Sequence, residues 1–573
     1  MRRGLLVAAS VLVVGVCLTA PSAHAVTDTE PNPTVSGPLT GGLHGHPFLG
    51  ARYAVADFGY SEKEFVFSGT AKAYGVSKPS ATYATRMLVE APVDPKRFTG
   101  TVYVEWDNVT AQLDAPAEFQ WLYPQILADG DAYVEVTAQQ VGVCGMGLTG
   151  DPVGGVAAVC TPTSLKGFDP IRYSALHHPG DDYSYDIFSQ ALQAIEHPTG
   201  LAPLGVLKPS VVIAVGESQS AMFMDDYMLL GADSAARLAD GFLIDADLNH
   251  EEPTTFRVPT IYLWSEDSAR DVSSTSGHNH VAWSISGSAH IDYWLIQHLA
   301  SIVGTEANTP PIGKAAEEAE EQAEGVYAQE GPDASVTCAG DEEYPRRYVI
   351  DAAAADLNSW VRGGESPPTV PALEFSGIGL PSTADTANVG VIFKTDAQGN
   401  ALGGLREPVI TVPVATYIGN ACPLLGTSTP LLPSRLSALY PTHADYVAKM
   451  NAATVAAVEA RFMTQRDGLD LMTRACDSAI PAWGTTAPAD QPAVCLNLES
   501  VFAGHAMVNA DVTSPSSSLK PAQDSTLTPQ PEGNLPSTGT SPVLAIGGAL
   551  ALGAATVLRA GTRLKRGKQV RGP

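Results

Sequence analysis

Four runs of apolar, β-branched and aromatic residues stand out along the chain: Thr101–Trp106, Ala132–Val136, residues 211–215 and Thr260–Trp264. Each is short and nearly continuous rather than alternating, the pattern of a strand covered on both faces, as in a parallel sheet. Between them lie stretches with helical spacing, including residues 187–196 and 221–230. Alternation of this kind predicts an α/β fold with a mostly parallel central sheet flanked by helices. Further along the pattern is less regular. Residues 313–331 are rich in Ala and Glu and read as an exposed helix of an insertion, and residues 450–472 read as one long amphipathic helix. The stretch from about 305 to 505 reads as a lid, a second lobe or the closing part of the same domain, after a core at about 50–305.

The two ends break the pattern. Arg2 and Arg3 precede an unbroken apolar run over residues 4–20, then Pro21 and the small-residue site Ala23-His24-Ala25. That order reads as a signal peptide over residues 1–25, cut before Val26. At the other end stands Leu535-Pro536-Ser537-Thr538-Gly539, followed by an apolar stretch over 542–558 and a tail with Arg559, Arg563, Lys565, Arg566, Lys568 and Arg571. The combination resembles the sorting signal of Gram-positive surface proteins. It implies that a sortase cuts after Thr538 and joins Thr538 to peptidoglycan. The apolar stretch is just long enough to span a bilayer, and the cations hold its end inside the cell. Residues 511–534, rich in Ser, Thr and Pro, read as an extended spacer through the wall. The expected location is therefore outside the cell, on the wall, with membrane contact only through the sorting segment before cleavage.

Composition narrows the class. The chain has 573 residues and a formal net charge of −28. Eight of its 33 basic residues, and none of its 61 acidic ones, lie in the two end segments, so the body stands near −36. Such a body repels polyanions and excludes nucleic acid as a partner. Six cysteines remain after the leader, an even number that in an exported chain points to disulfides. Six cysteines allow many pairings. Cys144–Cys160 and Cys476–Cys495 would close short loops, leaving Cys338–Cys422. No Cys/His spacing suggests a zinc site.

The chemistry gathers around Gly216-Glu217-Ser218-Gln219-Ser220, which follows the strongest strand and precedes a helix pattern. A nucleophile elbow needs that context and a small residue two places before the serine. Gly216 meets that need, while Ser220 replaces the usual glycine two places after. A polar turn capping a helix is the competing reading. A serine needs a base to remove its proton, and the base needs an acid. Strand 260–264 runs into Ser265-Glu266-Asp267, and Ser284-Ile285-Ser286-Gly287-Ser288-Ala289-His290 reads as a short strand, a flexible turn and a histidine. The order Ser218, then Glu266 or Asp267, then His290 is the one expected of α/β-hydrolases. Glu266 is preferred of the two acids, with Asp271 a third candidate. His278 and His280 in a polar loop, and His443, are rival bases, while Asp225 and Asp226 read as serving surface or helix needs. The oxyanion hole is expected from the backbone N–H of Gln219 and from the Asn108 loop, through the Asn108 side chain or its backbone.

The strings GYSEKEFVFSGTAKAY, VYVEWDNVT, DPIRYSALHHPGDDYSYDIFSQ, GESQS, VPTIYLWSED and GSAHIDYW resemble a little-characterised family of α/β-hydrolase-domain proteins. The later strings GNALGGLREPVITVPVATYIG and CPLLGT are similar to that family's C-terminal part, so the resemblance covers about residues 35–505. It implies an α/β-hydrolase fold with Ser218 and His290 at the positions of nucleophile and base, and it implies no particular substrate. The chain departs in the acid loop, where a Glu-x-Asp spacing is expected and Glu266-Asp267-Ser268 is found.

Together these features predict a wall-anchored serine esterase acting on small-molecule or lipid esters through an acyl-enzyme, with no cofactor and no metal. Two alternatives stand beside it. One is an inactive hydrolase scaffold that binds ligands at the surface, suggested by the missing second glycine of the elbow. The other is an acyltransferase, which differs only in the acceptor.

Overall fold

The computed structural model describes residues 30–151, 159–248, 250–269, 277–296, 298–299, 313–316, 342–377, 391–422, 424–483 and 491–502. The expected leader, spacer and sorting signal with Thr538, together with Asp271, Cys338 and most of the helix expected over 313–331, lie outside those residues.

A nine-stranded sheet forms the frame, in the spatial order β1-β2-β3-β5-β4-β6-β7-β8-β9. The strands are β1 (Thr34–Ser36), β2 (Tyr60–Ala71), β3 (Ala81–Pro92), β4 (Thr101–Trp106), β5 (Ala132–Val136), β6 (Val211–Glu217), β7 (Gly241–Asp245), β8 (Thr260–Trp264) and β9 (His280–Ser284). From β5 through β4 to β9 every pairing is parallel, whereas β1, β2 and β3 join antiparallel at one edge. The fold is that of an α/β-hydrolase.

Why continuous apolar runs became strands is visible in how they divide their side chains. In β6, Val211, Ile213 and Val215 enter one hydrophobic cluster while Val212 and Ala214 enter the other. In β8, Ile261 and Leu263 go to the first and Tyr262 and Trp264 to the second. Successive side chains on a strand point to opposite faces, so burial on both faces demands apolar residues throughout. Helices α1 (Ala117–Asp129) and α4 (Arg346–Val361) contribute Trp121, Leu122, Val349 and Leu357 to the first face. Helices α2 (Ser184–Glu196) and α3 (Gln219–Leu229) contribute Ile187, Phe188, Met224 and Tyr227 to the second.

The late region is not set apart from this frame. Tyr446, Val447, Met450, Leu471 and Met472 share one cluster with Trp121 and Ile261. The single helix expected over 450–472 is instead two, α5 (His443–Glu459) and α6 (Gln465–Asp477). Arg461 adopts φ 64°, and the bonds from Arg461 N to Val458 O and from Phe462 N to Ala457 O close the first helix in a Schellman turn. Thr464 then caps the second, its hydroxyl accepting from Asp467 N. Apolar periodicity running through the break hid it; the Thr464-x-x-Asp467 cap was the signal.

Two disulfides have the expected partners, Cys144–Cys160 and Cys476–Cys495. Cys422 is also disulfide-bonded.

Candidate active site

Ser218 stands between the end of β6 and the start of α3, with φ 56° and ψ −116°. A non-glycine residue at such a φ is strained, and strained positions gather at functional sites. The elbow is tight enough to require Gly216: a Cβ there would lie 2.9 Å from Ser220 O and 3.0 Å from Met224 Cγ. Ser220, in place of a second glycine, clips the turn together. Its hydroxyl donates to Glu217 O at 2.7 Å and accepts from Glu217 N at 3.0 Å. The turn therefore accommodates the departure from the usual motif.

His290 comes from the loop after β9, and its Nε2 lies 2.7 Å from Ser218 Oγ. Both side chains are buried. The strand leading to this loop is His280–Ser284, so it ends where the expected short strand was read to begin. Ile285 instead makes an isolated bridge with Leu405. Gly287, expected to be a flexible turn, is packed: it takes φ 81°, and a Cβ there would come within 2.6 Å of Ile410 Cδ1. Burial, and then the Arg346 guanidinium, push the His290 imidazole down to about 3. It is therefore a neutral acceptor at ordinary pH.

Of the two adjacent acids, Asp267 faces the histidine. Its Oδ2 lies 3.8 Å from His290 Nδ1, and its Oδ1 accepts from the Ser265 hydroxyl. That separation exceeds a hydrogen bond, and neither atom has another hydrogen-bond partner among the described residues. Glu266, the acid preferred from sequence, is turned away. Its carboxylate accepts from Gly287 N at 2.7 Å and Gly419 N at 2.8 Å, tying the His290 loop to the late region. Burial raises Asp267 to about 6 and Glu266 to about 7.

The expected oxyanion donors separate as well. No described residue accepts the backbone N–H of Gln219. The Asn108 side chain is not free, because its Nδ2 donates to Glu217 O at 3.0 Å and to Glu217 Oε2 at 2.8 Å. Asn108 instead shapes its loop: its Oδ1 accepts from Thr110 N, and its backbone pairs with Ala115. On that loop Val109 N donates to Gln219 Oε1 at 3.2 Å. The Thr110 hydroxyl is buried with no partner among the described residues.

The rival residues have other employment. His280 opens β9, buried and stacked on Phe256 at 4.6 Å, so it is not in a loop. His278 is exposed in the preceding turn. His443 Nδ1 lies 3.0 Å from Ile480 O. Asp225 is buried and accepts from Tyr262 Oη at 2.6 Å, while Asp226 faces His250 at 3.2 Å. Among the described residues no cluster of His, Cys, Asp and Glu fits a metal ion.

Three side chains at the site had no role in the sequence reading. Glu217 Oε1 lies 3.2 Å from His290 Nε2. Arg346, at the start of α4, donates to the carbonyls of Ala289 and His290 and to Asp245, holding the histidine loop against the sheet. Thr110 lines the cavity beside Ser218 and His290. Adjacency to Ser218 in the motif was a signal for Glu217; Arg346 had none. The wall of that cavity includes Ala111, Leu113, Ala115, Leu295, Leu299 and Leu424. A strained serine and a neutral imidazole beside an apolar wall bring together the groups that acyl transfer needs.

Comparison with known proteins adds a family. The alpha/beta hydrolase domain family matches residues 35–473. No curated protein matches. Among solved structures, the esterase Est22 is 12% identical with a TM-score of 0.23, covering 38% of this chain and 68% of its own. A thermostable esterase from Pseudomonas putida is 13% identical with a TM-score of 0.24, covering 44% and 80%. A bacterial brefeldin A esterase is 14% identical with a TM-score of 0.24, covering 42% and 74%.

Proposed function

This chain belongs to the alpha/beta hydrolase domain family, and from that premise we propose that it hydrolyses carboxylic esters with Ser218 as nucleophile, His290 as base and Asp267 as the acid behind it. The observation that carries the reading is the 2.7 Å approach of His290 Nε2 to Ser218 Oγ at a strained strand-to-helix turn. Ser218 Oγ attacks the ester carbonyl carbon while its proton passes to Nε2. The charged oxygen forming on that carbon takes the Gln219 N–H, helped by the N-terminal end of α3. The proton on Nε2 then goes to the departing alcohol, leaving an acyl-enzyme that water hydrolyses. Asp267 closes on Nδ1 as the imidazole gains charge, since catalytic hydrogen bonds are often long before substrate binds. The apolar cavity wall favours an uncharged acyl group over an anionic one. Short acyl nitrophenyl esters test the reading. Turnover should be lost in Ser218→Ala, and a fluorophosphonate should label the native protein alone. Equal rates for the two proteins would end the proposal.

We also propose that the protein is exported through residues 1–25 and joined to peptidoglycan at Thr538. The support is the order of motif, apolar span and basic tail. In a host with a sortase, the native chain should stay with wall material boiled in detergent until a muramidase frees it. Pro536→Ala should move it to the membrane or medium, and an unchanged distribution would refute the anchoring.

A further inference from the structure

Glu217 is the one carboxyl side chain of the cavity wall, and the reaction above leaves it unused. It ends β6, is 3% exposed, and is held from two sides by Asn108 Nδ2, which donates to its carbonyl and to its Oε2. Its other carboxyl oxygen, Oε1, lies 3.2 Å from His290 Nε2, and both residues line the cavity. A carboxyl placed there has a cost. Asp245 and Glu105 stand near it as like charges, opposed by Arg346, and burial is the larger effect, raising it well above the usual carboxyl range.

The position matters once Ser218 is acylated. Its hydroxyl proton has then left with the alcohol, and Nε2 has lost its donor. Nε2 and Oε1 are then two polar atoms 3.2 Å apart on residues that line the same cavity. We propose that Glu217 seats the water that hydrolyses the acyl-enzyme, giving it a second hydrogen bond beside His290. In that step one water O–H passes its proton to Nε2 as the oxygen bonds to the acyl carbon. The carbon–Oγ bond then breaks, the Nε2 proton returns to Ser218, and the carboxylic acid leaves. Glu217 ends the step with the proton count it began with. Glu217 is a catalytic residue on this account, because it touches the attacking water.

The inference rests on the Ser218–His290 reading, and the experiment separates the two. Rapid mixing with a nitrophenyl ester reads acylation as a burst and deacylation as the steady state, for native protein, Glu217→Gln and Glu217→Leu. All three should give a burst at rates within about threefold. Steady-state turnover should fall about tenfold or more in Glu217→Leu and less in Glu217→Gln, which keeps the shape and a polar atom. With methanol present, the ratio of methyl ester to free acid should rise in both variants, because water has lost its seat. Burst and turnover falling by the same factor would mark Glu217 as merely structural and overturn the inference. Unchanged turnover with an unchanged product ratio would overturn it too. Should Glu217→Leu not fold, Glu217→Gln carries the test through its product ratio. Failure of a fluorophosphonate to label the native protein would instead remove the serine mechanism.

Discussion

Two adjacent buried acids, Glu266 and Asp267, show how much depends on single side-chain directions. Both are displaced upward by burial, yet one accepts from backbone N–H groups, Gly287 and Gly419 among them, and the other faces an imidazole. Their replacements should therefore differ in kind. Asp267→Asn should lower kcat by about three to four orders of magnitude with little loss of stability, since the imidazole loses its orientation and its charge partner. Glu266→Gln should keep activity within about tenfold but lower stability by about 1–3 kcal/mol, the range for a buried partner left unpaired. Steady-state kinetics and urea denaturation of the two variants check this; equal kinetic losses would reject the assignment. Gly287 is a third residue of this kind. Gly287→Ala must accept φ 81° and a 2.6 Å approach to Ile410, so it should lower stability by about 1–3 kcal/mol and activity with it, because His290 follows three residues on. The motif Gly216 to Ser220 made the serine legible, and the chain order made His290 legible. The acid was not, because neighbouring side chains in a turn diverge by amounts that only the folded backbone sets.

At the scale of elements, the loop between β4 and α1 carries Asn108 and Thr110 to the site, and a buried cation holds its ends. Arg86 on β3 is fully buried and within 3.7 Å of both Asp107 and Asp114, which flank that loop. Glu64 and Glu135 lie 3.4 Å away. Removing the cation leaves several buried acids without a counter-charge, and breaking such a pair costs about 3–5 kcal/mol. Arg86→Leu should lose stability on that order in denaturant titrations. A loss under about 1 kcal/mol would mean that the acids are neutral and need no partner. The parallel strands were legible because burial on both faces leaves unbroken apolar runs. β2 and β3 were not. Their polar residues, among them Glu64, Arg86 and Glu90, are buried, and Glu64 and Arg86 face one another at 3.4 Å rather than solvent. That breaks the rule linking polarity to exposure. The division between α5 and α6 was missed for the opposite reason, since apolar residues continue through the turn.

For the molecule as a whole, the many buried acids set a pH dependence of stability. Burial raises Glu105 and Asp131 to about 8 and Asp356 to about 7. A carboxyl whose folded pKa lies above its unfolded one binds more protons in the native state, so stability falls as pH rises between the two values. Buried His290 and His298, both held near 3, act the other way, but only below about pH 6.5, where an unfolded histidine still takes a proton. Above that point the carboxyls act alone. The melting temperature should therefore drop from pH 6.5 to pH 8.5, and a rise over that interval would contradict the burial of these acids. The same scale decides the standing of the late region. Its helices α5 and α6 share a core with α1 and β8, which no local pattern could announce, because shared burial is a property of distant contacts.

What the chain's order of residues determined alone is whatever local physics dictates. Unbroken apolar runs become strands, the small-residue turn lifts Ser218, and the short loops between cysteines set the Cys144–Cys160 and Cys476–Cys495 pairs. Only tertiary structure decided that Asp267 rather than Glu266 faces His290, that Glu217 shares the histidine's Nε2, that Asn108 holds Glu217, and that Arg346 braces the loop from more than fifty residues away. Those outcomes are differences of a few ångströms between groups of the same chemistry, and a sequence records the chemistry without the distances.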